Sequence, residues 1–267
     1  MLDRLRSLLR PTRPKRGEYL FLGGGQGVAV AADGRKLFLP AGEAEIAPSV
    51  VFHGVWQGAL DALLLRLLRP GMAVAEIGAG YGFHTLGIAA RIGPAGVLHA
   101  FEPAPQVLRH LRRTLKFNGL PIILHELAAL HVEARASFLV PEDRPIGAEL
   151  EPEGDGAPRR ITVAGSRLDL VLGEQRLDLL RIDAGGSAAM ALVGAHQALL
   201  RNPLLQLVID WDPPAIARHG DVAECAGWLA ALNFAAQRLA PDGTLTRVAD
   251  LPALDPCTLL LSRPERG

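Results

Sequence analysis

Cysteine is scarce: Cys225 and Cys257 are the only two in 267 residues. They form no paired C-x-x-C spacing, which argues against a zinc ribbon or a disulfide framework and fits a reducing compartment. Cys225 falls at helical intervals from Val222, Trp228, Leu229 and Leu232, the setting of a small core hydrophobe. Excess charge is missing as well. Lys and Arg number 28 against 28 Asp and Glu, so no nucleic-acid partner is expected. No apolar run approaches membrane-span length. Residues 1–16 lack the apolar core and small-residue cleavage site of a signal peptide. They set Arg4, Arg6, Arg10, Arg13, Lys15 and Arg16 against Asp3, with Leu2, Leu5, Leu8 and Leu9 on one helical face. We read a solvated basic arm, capable at most of a weak surface contact with a membrane. The expectation is a soluble, cytoplasmic chain. Its oligomeric state is not set by the sequence.

Hydrophobic residues are plentiful, at 49%, enough for a sizeable core rather than a disordered chain. The length suits one large α/β domain or two small ones. Residues 1–48 read as the basic arm and a short strand pair around Asp33-Gly34. The run Gly23-Gly24-Gly25-Gln26-Gly27 lacks the Gly-Lys-Ser/Thr ending of a P-loop and reads as a turn. From 49 to 267 one domain is expected. A helix over about 49–68 is followed by strand 72–77, helix 83–92, strand 96–101, helix 104–118 and strand 121–127. Residues 133–165 interrupt the alternation with an inserted strand pair around a Pro-, Gly- and charge-rich loop, the composition of a mobile lid. Strand 177–182, helix 187–200, strand 204–210, helix 222–233 and strands near 234–239 and 257–262 complete the chain. Alternating strands and helices imply a mostly parallel sheet covered on both faces, with an antiparallel edge at the end.

The stretch "VAEIGAGYGFHTL", residues 74–86, is strand, glycine turn and helix. A dinucleotide fingerprint needs G-x-G-x-x-G. Here Gly78, Gly80 and Gly82 are spaced G-x-G-x-G, and Phe83 stands at the third-glycine position. Glu76, just before the loop, would repel a pyrophosphate and attract a cation. S-adenosylmethionine carries an ammonium and a sulfonium and no phosphate. Glu102, ending the next strand, is placed to accept hydrogen bonds from ribose hydroxyls. The loop therefore reads as an S-adenosylmethionine site.

The segment from Val74 to Leu120 resembles the cofactor half of FkbM-like methyltransferases. Further matches are GVWQ at 54–57, SRLDL at 166–170, LDLLRIDAGG at 177–186 and LQLVIDWDP at 205–213. The resemblance covers about residues 50–213. It implies a Rossmann-like class I methyltransferase with a seven-stranded sheet, S-adenosylmethionine as donor, and transfer to a hydroxyl of a sugar, glycan or secondary metabolite. Carried over, Glu76, Gly78, Ala79, Gly80 and Gly82 line the methionine end, Glu102 the ribose, and Leu127 and Ala128 the adenine. Asp183 is the family aspartate beside the transferred methyl. The chain departs from the family in four places. Gly185 and Ala188 replace two acids, Gly80 replaces Asn, and Gln57 replaces Glu.

A neutral alcohol benefits from a general base. The candidates at the carboxyl ends of the strands are Asp183 first, then Asp210 and His219, with Asp212 beside them. His84, at the start of the first helix of the unit, reads as a packed or capping residue. No His, Cys or acid cluster has metal-ligand spacing. Two activities remain: an O-methyltransferase acting on a small molecule or glycan, or a catalytically weakened donor-binding domain with a partner or regulatory role. A nicotinamide dehydrogenase is a distant third.

Overall fold

The computed structural model of the chain describes residues 16–140, 149–150 and 160–264. The basic arm over 1–15 and nearly all of the proposed lid over 141–160 lie outside the described residues. In chain order, β1 (Glu18–Gly23), β2 (Gln26–Val30) and β3 (Lys36–Pro40) precede α1 (Ile46–His53) and α2 (Gly58–Leu67). Then come β4 (Ala73–Ile77), α3 (Phe83–Ile92), β5 (Val97–Phe101), α4 (Pro105–Asn118) and β6 (Ile123–His125). Next come β7 (Ala128–Ala129) and, from the insertion, β8 (Ala134–Leu139), β9 (Glu149–Leu150) and β10 (Arg160–Ser166). It is followed by α5 (Leu168–Leu172), β11 (Leu179–Ile182), α6 (Ala188–Gly194) and α7 (His196–Arg201). The chain continues through β12 (Gln206–Trp211), α8 (Pro213–Ile216), α9 (Val222–Ala231), β13 (Ala235–Leu239), β14 (Leu245–Val248) and β15 (Cys257–Ser262).

The central sheet runs β14-β13-β15-β12-β11-β4-β5-β6. Pairings from β12 through β6 are parallel, and β15 enters antiparallel between β12 and β13. This is the Rossmann-like order of class I methyltransferases, extended by β14. Alternate residues of the central strands feed two cores, as the two-residue strand period requires. Ala75, Ile77, Leu180, Ile182, Leu207 and Ile209 pack under α6, α7 and α9. Val74, Leu179 and Val208 pack under α2 and α3. The three-stranded β1-β2-β3 sheet covers the start of α3: Ala29, Leu37 and Leu39 share a core with Tyr81, Phe83 and Val107.

Several sequence expectations need correction. The expected helix over 49–68 is two helices bent by 81°. Gly54 closes α1 in the left-handed conformation, φ 74°, with its N–H on the Val50 carbonyl, a conformation glycine adopts at little cost. The expected helix over 187–200 divides at Ala195. The Asp169 carboxylate accepts from Gln197 and Ala198 N–H at 2.9 and 2.8 Å and so starts α7. The expected strand over 121–127 leaves the central sheet at His125, and Ala128–Ala129 join β10 instead. The sheet has eight strands rather than seven, because β14 extends the expected antiparallel edge formed by β13 and β15. No single helix among the described residues is long and apolar enough to cross a membrane.

Candidate functional site

A cleft opens at the carboxyl ends of β4, β5 and β11, where open α/β sheets bind ligands. Its floor is the loop 78–81, which follows β4. Gly78 has φ 84°, and a Cβ there would stand 1.9 Å from the Asp183 carbonyl oxygen, so only glycine fits. Gly78 and Ala79 N–H both donate to the Phe101 carbonyl, at 2.9 and 3.0 Å. Gly82, φ 93°, caps α3 and meets Leu111 rather than the cleft.

Glu102 follows β5 and is buried on the cleft wall. Its Oε2 accepts from Gly80 N–H and its Oε1 from Ala104 N–H, each at 2.9 Å. Burial pushes its carboxyl up to about 7 against the pull of those two amides. Leu127, Ala128 and Phe101 give the adjoining wall an apolar face. Trp56, Phe138 and Ile46 close the cleft from outside the β-α-β unit.

Glu76 lies beneath this floor, fully buried, with Oε1 3.3 Å from Arg181 Nη1. The two residues are in-register neighbours on β4 and β11. Arg181 also donates to the Gly78 carbonyl (3.4 Å) and to Asp183 Oδ2 (3.0 Å), and lies 3.9 Å from Asp210 Oδ2. Burial alone would lower this guanidinium, but Asp183, Glu76 and Asp210 outweigh it and hold it charged. Burial pushes the Glu76 carboxyl up to about 7 despite Arg181. Asp210, raised to about 6 by burial and by Asp183, accepts from the Thr258 hydroxyl at 2.6 Å.

Of the residues singled out in the sequence, Gly78, Ala79, Gly80, Glu102, Leu127, Ala128 and Asp183 meet around the cleft. Glu76 and Asp210 join the cleft only through Arg181. His219 is not on its wall. It packs against Gly186, where a Cβ would come within 2.6 Å of the imidazole. Asp212 caps α8 through Ala215 N–H at 2.9 Å. Sequence reasoning missed Arg181, although a lone cation inside the apolar run "LLRI" demands a buried partner. It also missed that His84 faces the cleft, with Nε2 2.9 Å from the Gln57 amide.

The sequence profile of the Methyltransferase FkbM domain matches residues 76–234. A protein-L-isoaspartate O-methyltransferase of Methanothrix thermoacetophila is 28% identical over 157 residues, 55% of this chain and 72% of that protein. An rRNA methylase structure from Streptococcus thermophilus superposes with TM-score 0.46 and 16% identity, covering 76% of this chain and 93% of that one. A precorrin-6y C5,15-methyltransferase structure from Geobacter metallireducens gives TM-score 0.44 and 13% identity, over 76% and 86% of the two chains.

Proposed function

Because the chain belongs to the FkbM methyltransferase family, we propose that it methylates a hydroxyl oxygen of a sugar, glycan or related metabolite. The cofactor is S-adenosylmethionine. The observation that carries this reading is the charge of the cleft. The carboxyls of Glu76, Asp183 and Asp210 gather around one buried cation, Arg181, and Glu102 stands on the cleft wall nearby. Such a site favours a cationic ligand over a pyrophosphate.

When bound, S-adenosylmethionine supplies a methyl group on a cationic sulfur. The loop from Gly78 to Gly80 lets backbone approach the methionine portion closely; Gly82, which the sequence also placed there, turns away against Leu111. Each Glu102 oxygen has spent one lone pair on a backbone N–H and has another for a ribose hydroxyl. Leu127 and Ala128 offer the adenine an apolar wall. Glu76 holds Arg181, and Arg181 in turn aims Asp183, whose carboxylate is 44% exposed. Asp183 would receive the proton of the acceptor hydroxyl as the methyl leaves sulfur and its bond to the oxygen forms. Asp210 lies behind Arg181, and His219 packs on Gly186 away from the cleft wall.

Two measurements test the reading. Calorimetric titration should show S-adenosylhomocysteine binding and no NAD binding. Labelled S-adenosylmethionine should then transfer its methyl to a member of a glycoside panel. A second reading, donor binding without turnover, is favoured by residues 184–188, Ala-Gly-Gly-Ser-Ala, which carry no ionisable side chain. It predicts S-adenosylhomocysteine binding with every acceptor inert.

A further inference from the structure

Four side chains, Arg35, Asp61, His84 and Gln57, run in a line from the N-terminal sheet to the cleft, and the donor site proposed above assigns a role to none of them. Arg35, in the turn between β2 and β3, grips Asp61 of α2 with two hydrogen bonds of 2.9 Å. It also donates to the Phe83 carbonyl at 3.1 Å and lies 4.1 Å above the Phe83 ring. Asp61 Oδ1 is 3.6 Å from His84 Nδ1. His84 Nε2 is 2.9 Å from the side-chain amide of Gln57, drawn with Oε1 toward the ring. Asp61 and His84 are buried, whereas Gln57 is exposed. Gln57 also has φ 46°, a left-handed conformation that costs a residue other than glycine about 1 kcal/mol or more.

The amide orientation decides the protonation of the whole line. With Oε1 on the ring, the imidazole proton sits on Nε2. Nδ1 is then a bare lone pair facing the Asp61 carboxylate, buried and without a partner, an arrangement that costs free energy twice over. Turning the amide over removes both penalties. Amide N–H donates to Nε2, and the ring proton moves to Nδ1, facing Asp61. Amide oxygen and nitrogen are told apart only by such networks. The turned amide also leaves its oxygen free beside Trp56 and His84, which line the cleft. Gln57 itself is exposed and stands next to that lining rather than in it, so with the donor in the buried part of the cleft it would meet an acceptor at the rim.

We propose that Gln57 is an acceptor-binding residue: its amide nitrogen holds His84 as the neutral Nδ1–H tautomer, and its carbonyl oxygen accepts the hydrogen of the acceptor hydroxyl. This rests on the methyl-transfer reading above. The charged groups facing His84 are Asp61 from α2, Arg35 from the β2–β3 turn and Arg181 from β11. Desolvation and the two guanidinium groups favour the neutral ring, and Asp61 alone favours the cation. A Glu at position 57 cannot donate to Nε2. Gln57→Glu should therefore put a proton on both ring nitrogens at neutral pH.

Nitrogen-15 NMR of the imidazole-labelled chain reads the tautomer directly. The Nδ1–H form in the wild type, and an imidazolium in Gln57→Glu, are expected; an Nε2–H wild type overturns the proposal. With labelled S-adenosylmethionine and a panel of methyl glycosides, Gln57→Leu should raise the acceptor KM about threefold to tenfold, the size of one neutral hydrogen bond. Its kcat should change less, and S-adenosylhomocysteine affinity should not change. An active wild type whose acceptor KM is untouched by Gln57→Leu sinks the role of Gln57 alone. A wild type that methylates no glycoside sinks the acceptor class and this role together.

Discussion

The two halves of the cleft are built differently. On the side we assign to the donor, position is fixed by backbone: Gly78 and Ala79 share the Phe101 carbonyl, and Glu102 is pinned by two amides. On the side we assign to the acceptor, few side chains remain available. Asp183 is exposed, Asp210 is engaged by Thr258, Asp212 caps a helix, and residues 184–188 have no charge. Donor affinity should therefore tolerate most side-chain changes except at Glu102, while turnover should depend heavily on Asp183. Arg181 joins the halves, touching Glu76, the Gly78 carbonyl and Asp183.

The sharpest break between the halves is expected from Asp183→Asn. The amide keeps the shape but cannot take a proton, so turnover should fall by about 10²–10⁴-fold while donor affinity stays within a few-fold. Equal turnover in steady-state assays would remove Asp183 as base. Next comes Gly78→Ala, which forces a Cβ to within 1.9 Å of the Asp183 carbonyl oxygen at a positive φ. Strain and overpacking together should cost about 2–5 kcal/mol, visible as a lower Tm. An unchanged Tm would mean that the loop relaxes freely and is not the rigid half.

Glu102→Ala should weaken S-adenosylhomocysteine by roughly 1.5–3 kcal/mol, about tenfold to more than a hundredfold. pH gives a smaller effect. Glu76 and Glu102 titrate at about 7 in the fold, against 4.5 as the ordinary value. A raised carboxyl binds more protons when folded, so its contribution declines as pH rises from about 4.5 through about 7. The free protein should thus lose Tm over that window. Affinity for the ammonium-bearing S-adenosylhomocysteine should rise a few-fold between about pH 6 and pH 8. A flat affinity profile would show that neither carboxyl changes charge there. The least effect is expected from Asp210→Asn, within about threefold on turnover, because the Thr258 hydrogen bond survives.

Legibility in the sequence follows the same division. The strand-loop-helix of the donor half is coded locally, by an apolar run, spaced glycines and an amphipathic α4, and α3 lies where its pattern places it. What escaped depends on contacts distant in sequence. Asp169 starts α7 from 28 residues away, and no local pattern announces that. Arg181 is explained only by its register against Glu76, across 105 residues. Likewise Gln57 acquires meaning from His84, and His84 from Asp61 and Arg35, once α2, α3 and the small sheet have packed together.

The most direct measurement is one calorimetric series: S-adenosylhomocysteine titrated into the wild type, Glu102→Ala and Asp183→Asn under a single buffer condition. Saturable binding to the wild type is expected, weakened at least about tenfold by Glu102→Ala and within a few-fold of wild type in Asp183→Asn. A wild type that binds NAD and not S-adenosylhomocysteine would contradict the assignment of the cleft. Equal weakening by the two substitutions would contradict the division of labour between its halves.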